Sequence, residues 1–308
     1  MRIVFMGTPD FAVPCLKRLI DAGHDLCAVF TQPDKPKGRG YALTPSPVKV
    51  LAAEKNITVF QPKTLRTEEA AETIRNLKPD VIVVVAYGKI LPKEVLDIPP
   101  FGCINVHASL LPKYRGAAPI QWSVINGDKV TGVTTMFMSE GLDTGDMLLT
   151  AQTEIDSEET SGELHERLSL MGAELIVQTL QKVEDGSIER IPQSDENTCY
   201  ASMLTKELAR IDWSKSANEI HNLVRGLSPW PVAYTIYHNK LLKIHKTMAV
   251  NGYKGNAGEI ANTDGMFVVF CGEKTALELM EVQYEGGKRM SGKDFLRGHP
   301  VGEDLFLK

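Results

Sequence analysis

The chain has 308 residues, 34 Lys+Arg against 39 Asp+Glu for a formal net charge of −5, and 43% apolar residues. That length suits one large domain or two ordinary ones, the apolar content can fill a core, and the acidic balance excludes a protein that coats nucleic acid through bulk charge. The five cysteines lie far apart with no Cys-x-x-Cys pair, the apolar run at Met1–Gly7 is too short to read as a signal peptide, and no later run could span a membrane; a disulfide framework is excluded and a cytoplasmic protein is expected.

Residues 2–6 read as a buried strand ending at Gly7. A helix follows, with Pro14 near its first turn and Val13, Leu16, Leu19 and Ile20 as its apolar stripe, closing at Gly23. Strands are predicted at Leu26–Phe30 and Ile57–Phe60, and an amphipathic helix at Glu68–Leu77. The unbroken β-branched run Val81–Val85 marks a strand covered on both faces. Further strands are predicted at Cys103–Val106, Val133–Met138 and Met147–Glu154, then a long helix from Ser161 towards Val183. Strands alternating with helices predict an α/β fold, a Rossmann-like, mostly parallel sheet with right-handed crossovers. Beyond it the texture changes. An irregular polar stretch is followed by a helix at Ala217–Gly226 and five short strands between Ala233 and Val282, the pattern of a small β-barrel, OB-like. The division expected is a catalytic domain over 1–188, a linker over 189–206 and a C-terminal barrel over 207–308. Residues 205–308 carry 14 Lys+Arg against 12 Asp+Glu, a net of +2, leaving −7 for the remainder.

The turn Gly7-Thr8-Pro9-Asp10-Phe11-Ala12 has one glycine where a dinucleotide fingerprint needs three, so Gly7 reads as an ordinary strand-end turn. The chemistry is expected instead at Asn105-Val106-His107-Ala108-Ser109-Leu110-Leu111-Pro112. Alternation puts Asn105 and His107 on one side of a strand, at the carboxyl end where open α/β sheets bind ligands. Gly141-Leu142-Asp143-Thr144-Gly145-Asp146 adds an acidic turn. An amide can donate to a developing oxyanion, an imidazole can move a proton, and a carboxylate can orient the imidazole or a water. On pattern alone two readings stand, a satisfied structural Asn–His pair or a catalytic one. Asp-Thr-Gly is also the aspartic-protease signature, but the second copy and the all-β chain that reading needs are missing. The seven histidines form no zinc-ligand pattern, so no metal is expected.

Taken with Phe5-Met6-Gly7-Thr8-Pro9-Asp10-Phe11 and Tyr114-Arg115-Gly116-Ala117-Ala118-Pro119-Ile120-Gln121-Trp122, these motifs resemble the folate-dependent formyltransferases, over nearly the whole chain. The resemblance implies Asn105, His107 and Asp143 as catalytic residues and 10-formyltetrahydrofolate as the formyl donor. It implies folate contacts from Ser109, Leu110, Leu111 and Pro112, and from the loop that carries Tyr87, Gly88 and Ile90. The implied acceptor is the α-amine of methionine on initiator tRNA.

Residues 32–49 are an unusual insertion in which Lys35, Lys37 and Arg39 alternate with Pro and Gly. Composition alone reads it as a solvated, mobile loop. The resemblance reads it as an arm that meets the tRNA acceptor end, with Lys35, Lys37 and Arg39 on phosphates and Tyr41 available for stacking. Lys240, Lys243, Lys246 and Lys254 could add a second RNA surface or be a solvated face. Trp213 and Trp230 read as packing residues at the domain junction. An amino-sugar nucleotide formyltransferase is the alternative acceptor class, and a non-catalytic RNA-binding protein on a degenerate scaffold a further one. No exposed apolar helix face stands out, so a monomer is expected.

Overall fold

The computed structural model describes residues 1–37, 42–263, 265–299 and 306–307. In chain order the first half runs β1 (Arg2–Gly7), α1 (Val13–Asp21), β2 (Asp25–Phe30), β3 (Lys35–Lys37), β4 (Ala42–Thr44), α2 (Pro47–Glu54), β5 (Val59–Phe60), α3 (Glu68–Leu77), β6 (Val81–Val85), α4 (Lys93–Leu96), β7 (Cys103–His107), β8 (Arg115–Gly116) and α5 (Pro119–Ile125). There follow β9 (Val130–Phe137), β10 (Met147–Glu154), α6 (Ser161–Glu184), β11 (Tyr200–Ala201) and α7 (Ala217–Gly226). The last part is β12 (Tyr234–Tyr237), β13 (Lys240–Val250), β14 (Ile260–Thr263), β15 (Met266–Phe270), β16 (Ala276–Tyr284), β17 (Arg289–Ser291) and α8 (Gly292–Gly298).

Contacts divide the chain into two compact units that are not consecutive segments: residues 1–116, 131–153 and 165–200 form one, and 117–130, 154–164 and 201–308 the other. The first is built on a seven-stranded sheet of order β10-β9-β7-β6-β1-β2-β5. β1 pairs parallel with β2 and β6, as do β6 with β7 and β2 with β5, whereas β9 runs antiparallel to β7. The expected mostly parallel Rossmann-like sheet is therefore present. Every residue of β6 is buried. Each of those Val and Ile side chains contributes about 1.5–3 kcal/mol by leaving water. α1 carries Pro14 in its first turn and buries Cys15, Leu16 and Leu19. α2, for which the sequence reading had no helix, starts on Pro47 with Ser46 capping the Lys49 N–H.

The second unit is an antiparallel, barrel-like sheet of order β12-β13-β16-β15-β14, with β17 on β16. Register shifts around Lys246 kink the long β13 against β16, which lets the sheet curl over one core. That core holds Trp213, Ile220, Val224, Phe267, Leu277 and Phe295. It also takes in α5, whose Ile120 and Val124 are buried and whose Trp122 and Ile125 pack on the cluster beside α7. Trp213 is a packing residue, as expected, with Nε1 donating to Thr235 Oγ1 at 3.0 Å. Trp230 is not, since 58% of it is exposed.

Candidate active site

β7 ends at His107. In register, Asn105 sits between Val84 of β6 and Met136 of β9, and His107 lies opposite Thr134 of β9. Asn105 is half-buried, and His107 is 6% exposed. His107 Nε2 faces the Tyr114 carbonyl oxygen at 2.9 Å. A carbonyl can only accept, so Nε2 carries a hydrogen and donates it. The other ring nitrogen, Nδ1, is 3.6 Å from Asp143 Oδ2. Backbone thus holds one side of the ring, and the other faces the Asp143 carboxylate.

Asp143 is oriented from two directions. Its backbone is left-handed, with φ +53°. Its Oδ2 accepts the Gly116 N–H at 2.8 Å. The carbonyls of Asp143 and Gly145 both accept from Gln193 Nε2, at 2.9 and 2.7 Å. Gln193 Oε1 in turn accepts from Arg115 Nε at 3.0 Å, and the buried Arg115 guanidinium pairs with Asp195 at 2.9 Å. The turn is tight: a Cβ at Gly145 would overlap the Phe137 carbonyl oxygen.

The loop after His107 is tied down by side chains. Ser109 is fully buried, its Oγ donating to the Lys113 carbonyl at 2.6 Å. Thr134 Oγ1 donates to the Ser109 carbonyl at 2.7 Å and accepts the Leu111 N–H at 3.2 Å. Leu111 is buried, while Leu110 and Pro112 are half-buried. Across the parallel strands, the Tyr87 carbonyl accepts from Thr8 Oγ1 and from Gln32 Nε2, each at 3.1 Å, and Gln32 Nε2 also donates to the Gly88 carbonyl at 3.2 Å. The Tyr87 ring is 1% exposed and packs into the core cluster with Phe30 and Val84. Among the described residues its hydroxyl has no hydrogen-bond partner, and burial pushes the phenol up to about 12. Tyr87 therefore brings backbone, not its hydroxyl, to the loop surface. Gly88 has φ +77°. Ile90 on this loop and Leu142 on the acidic turn are 65% and 53% exposed, apolar surface left open beside the site.

The insertion is more ordered at its root than its composition suggests. β3 and β4 pair antiparallel, Lys35 opposite Thr44. Asp34 Oδ2 takes a hydrogen bond from Lys49 Nζ at 2.7 Å and Oδ1 one from Gln61 Nε2 at 2.7 Å, while Lys49 Nζ also reaches Gln61 Oε1 at 2.8 Å. These bonds hold the Asp34 carboxyl below the usual carboxylate range. Lys35 is exposed, and Lys37 lies in β3. Arg39 and Tyr41 lie outside the described residues. Gly7 is a packing glycine, whose Cβ would stand 2.8 Å from that of Ala12 and 2.7 Å from the Phe5 ring.

Among the described residues, no cluster of three or more His, Cys, Asp or Glu is arranged to hold a metal ion, and no helix is long and apolar enough to cross a membrane. The structure brings His107 to Asp143 and adds groups that sequence reasoning did not single out: Thr134, Gln193, the Arg115 side chain and the Tyr114 carbonyl. Hydrogen bonds to backbone leave no periodicity or motif, so nothing in the residue pattern announces them.

Residues 1–180 match the family model described as formyl transferase, and residues 203–300 that of the formyl transferase C-terminal domain. The chain belongs to the formyl transferase family. Methionyl-tRNA formyltransferase of Acetivibrio thermocellus is 52% identical over 311 residues, covering 100% of this chain and 99% of the relative. The Clostridium novyi protein of the same name is 53% identical, covering 100% of both chains. Among solved structures, the N-formyltransferase from Helicobacter canadensis with folinic acid and dTDP-3-aminofucose superposes with a TM-score of 0.70 at 20% identity, covering 92% of this chain and 100% of that one. At that identity the likeness is one of fold alone.

Proposed function

We propose that this formyl transferase is a methionyl-tRNA formyltransferase, moving the formyl group of 10-formyltetrahydrofolate to the free amine of methionyl initiator tRNA and yielding N-formylmethionyl-tRNA for translation initiation. It works in the cytoplasm, as a monomer. Residues 1–188 carry the catalysis, 189–206 form the linker and 207–308 the appended barrel. The observation that carries the reading is identity of 52–53% along the full chain, both units included, to relatives of that name.

The folate supplies an electrophilic formyl carbon and a nitrogen leaving group. Tyr87, Gly88 and Ile90 on one loop, and Ser109, Leu110, Leu111 and Pro112 on the other, form its binding edge. The open side chains of Ile90 and Leu142 suit a flat, largely apolar ring. The methionine amine attacks the formyl carbon, so a new C–N bond forms. The Asn105 amide donates to the oxygen that becomes negative as the amine adds. As the bond to the folate nitrogen breaks, one proton leaves the amine and one reaches that nitrogen. His107 Nδ1, facing Asp143, is placed to move it. Lys35, Lys37 and Arg39 meet phosphates of the acceptor end, Arg39 foremost.

The test is to incubate the protein with 10-formyltetrahydrofolate and methionine-charged initiator tRNA, with amino-sugar nucleotides in parallel. Formylmethionyl-tRNA as sole product is expected. A formylated sugar nucleotide without tRNA product would overturn the acceptor and the RNA reading of the arm.

A further inference from the structure

We propose that Gln193, from the polar stretch that reads as linker, is a positioning residue that fixes Asp143 against His107, with Arg115 as its buried anchor. Every hydrogen-bonding group of the Gln193 amide is used. The two Nε2 hydrogens go to the Asp143 and Gly145 carbonyls at 2.9 and 2.7 Å, and Oε1 accepts from Arg115 Nε at 3.0 Å. Three neighbours set this orientation, because two of them only accept and the third only donates. One carbonyl belongs to Asp143 itself and the other to Gly145, so a single side chain pins the turn at Asp143 and two residues beyond it.

Arg115 closes the ring. The residue before it, Tyr114, presents the carbonyl that holds His107 Nε2 at 2.9 Å, and the residue after it, Gly116, donates the N–H that orients Asp143 Oδ2 at 2.8 Å. Arg115 itself is 6% exposed, and a cation so buried requires fixed partners, here Gln193 and Asp195. The Arg115–Gln193 bond thus ties the segment orienting both catalytic side chains to the backbone of one of them. Glutamine fits this place where its equal-sized replacements do not. Glutamate, of equal size, would set an oxygen against two carbonyl oxygens, and leucine would leave both carbonyls without their donor.

The inference rests on the catalytic reading of Asp143, so Asp143→Asn is measured first, for tRNA formylation. A large loss of kcat confirms the ground on which Gln193 would act, whereas wild-type activity would remove the catalytic reading itself. Gln193→Glu and Gln193→Leu are then expected to lose kcat by up to about 100-fold, the scale of a misplacement near 1 Å, with KM for both substrates within about two-fold. Combined with Asp143→Asn, each is expected to add no further loss, because the position it holds no longer matters. A wild-type kcat in Gln193→Glu, or losses that multiply in the double variants, would overturn the proposal. Gln193 is half-buried rather than core, and a shared urea midpoint for wild type and Gln193→Glu separates positioning from unfolding.

Discussion

Single side chains carry opposite burdens at the proposed site. His107 and Asp143 are held by backbone groups and so stay fixed at little cost in stability. Replacing His107 by Ala is expected to lower kcat by about 10²–10⁴-fold, the range for loss of a general acid–base, while tRNA binding persists. Rapid-quench formylation together with filter binding would check this, and joint loss of binding and activity would count against a purely chemical role. Tyr87 is the reverse case. Its hydroxyl is buried without a partner among the described residues, which costs about 1–3 kcal/mol. Tyr87→Phe is therefore expected to unfold at equal or higher urea than wild type. A clear loss of stability would mean that the hydroxyl has a partner after all.

At the scale of elements, the arm is anchored rather than merely attached. Asp34, Lys49 and Gln61 lock its root, and Gln61 Nε2 also donates to the Gln32 carbonyl at 2.9 Å. Gln32 in turn holds the Tyr87–Gly88 loop. Lys49→Met is expected to raise KM for tRNA by about ten-fold while leaving KM for the folate near its wild-type value, measured by steady-state formylation with each substrate varied in turn. An equal change in both would mean that the root supports the folate loop more than the arm. Much of this architecture was legible in the residues. The β-branched run Val81–Val85, the stripe of α1 and the Asn105–His107 spacing each reflect burial or alternation, which sequence records directly. The sequence reading missed α2 and α5 because each is short, and the Pro-rich approach to α2 looks like loop. The β3–β4 pairing escaped notice because Pro and Lys alternate where a strand would show apolar residues. The brace at Gln193 was invisible for another reason: two of its three partners are backbone carbonyls, and any residue supplies those.

For the whole molecule, the cysteines report on folding. Cys15, Cys103 and Cys271 are buried, and burial pushes each thiol up to about 12. An unfolded thiol ionises near 9, so between pH 9 and about 12 the unfolded chain releases protons that the folded chain keeps. Stability contributed by these groups is complete below pH 9 and is lost as pH rises, by about 1.4 kcal/mol per thiol per pH unit. Urea midpoints across pH 7–11 are expected to fall above 9, and flat midpoints would contradict the burial of these thiols. Cys199 is exposed and should be alkylated first by iodoacetamide, before the buried three. The second unit draws α5 from the middle of the chain and packs it beside α7, so its core cannot be completed in the order in which the ribosome delivers it. Between the emergence of Ile125 and that of Gly226, roughly a hundred residues must be translated, about 5–20 seconds during which Trp122 and Ile125 lack the core they pack against. A nascent chain stalled in that window is a client for chaperones in a way the finished protein is not.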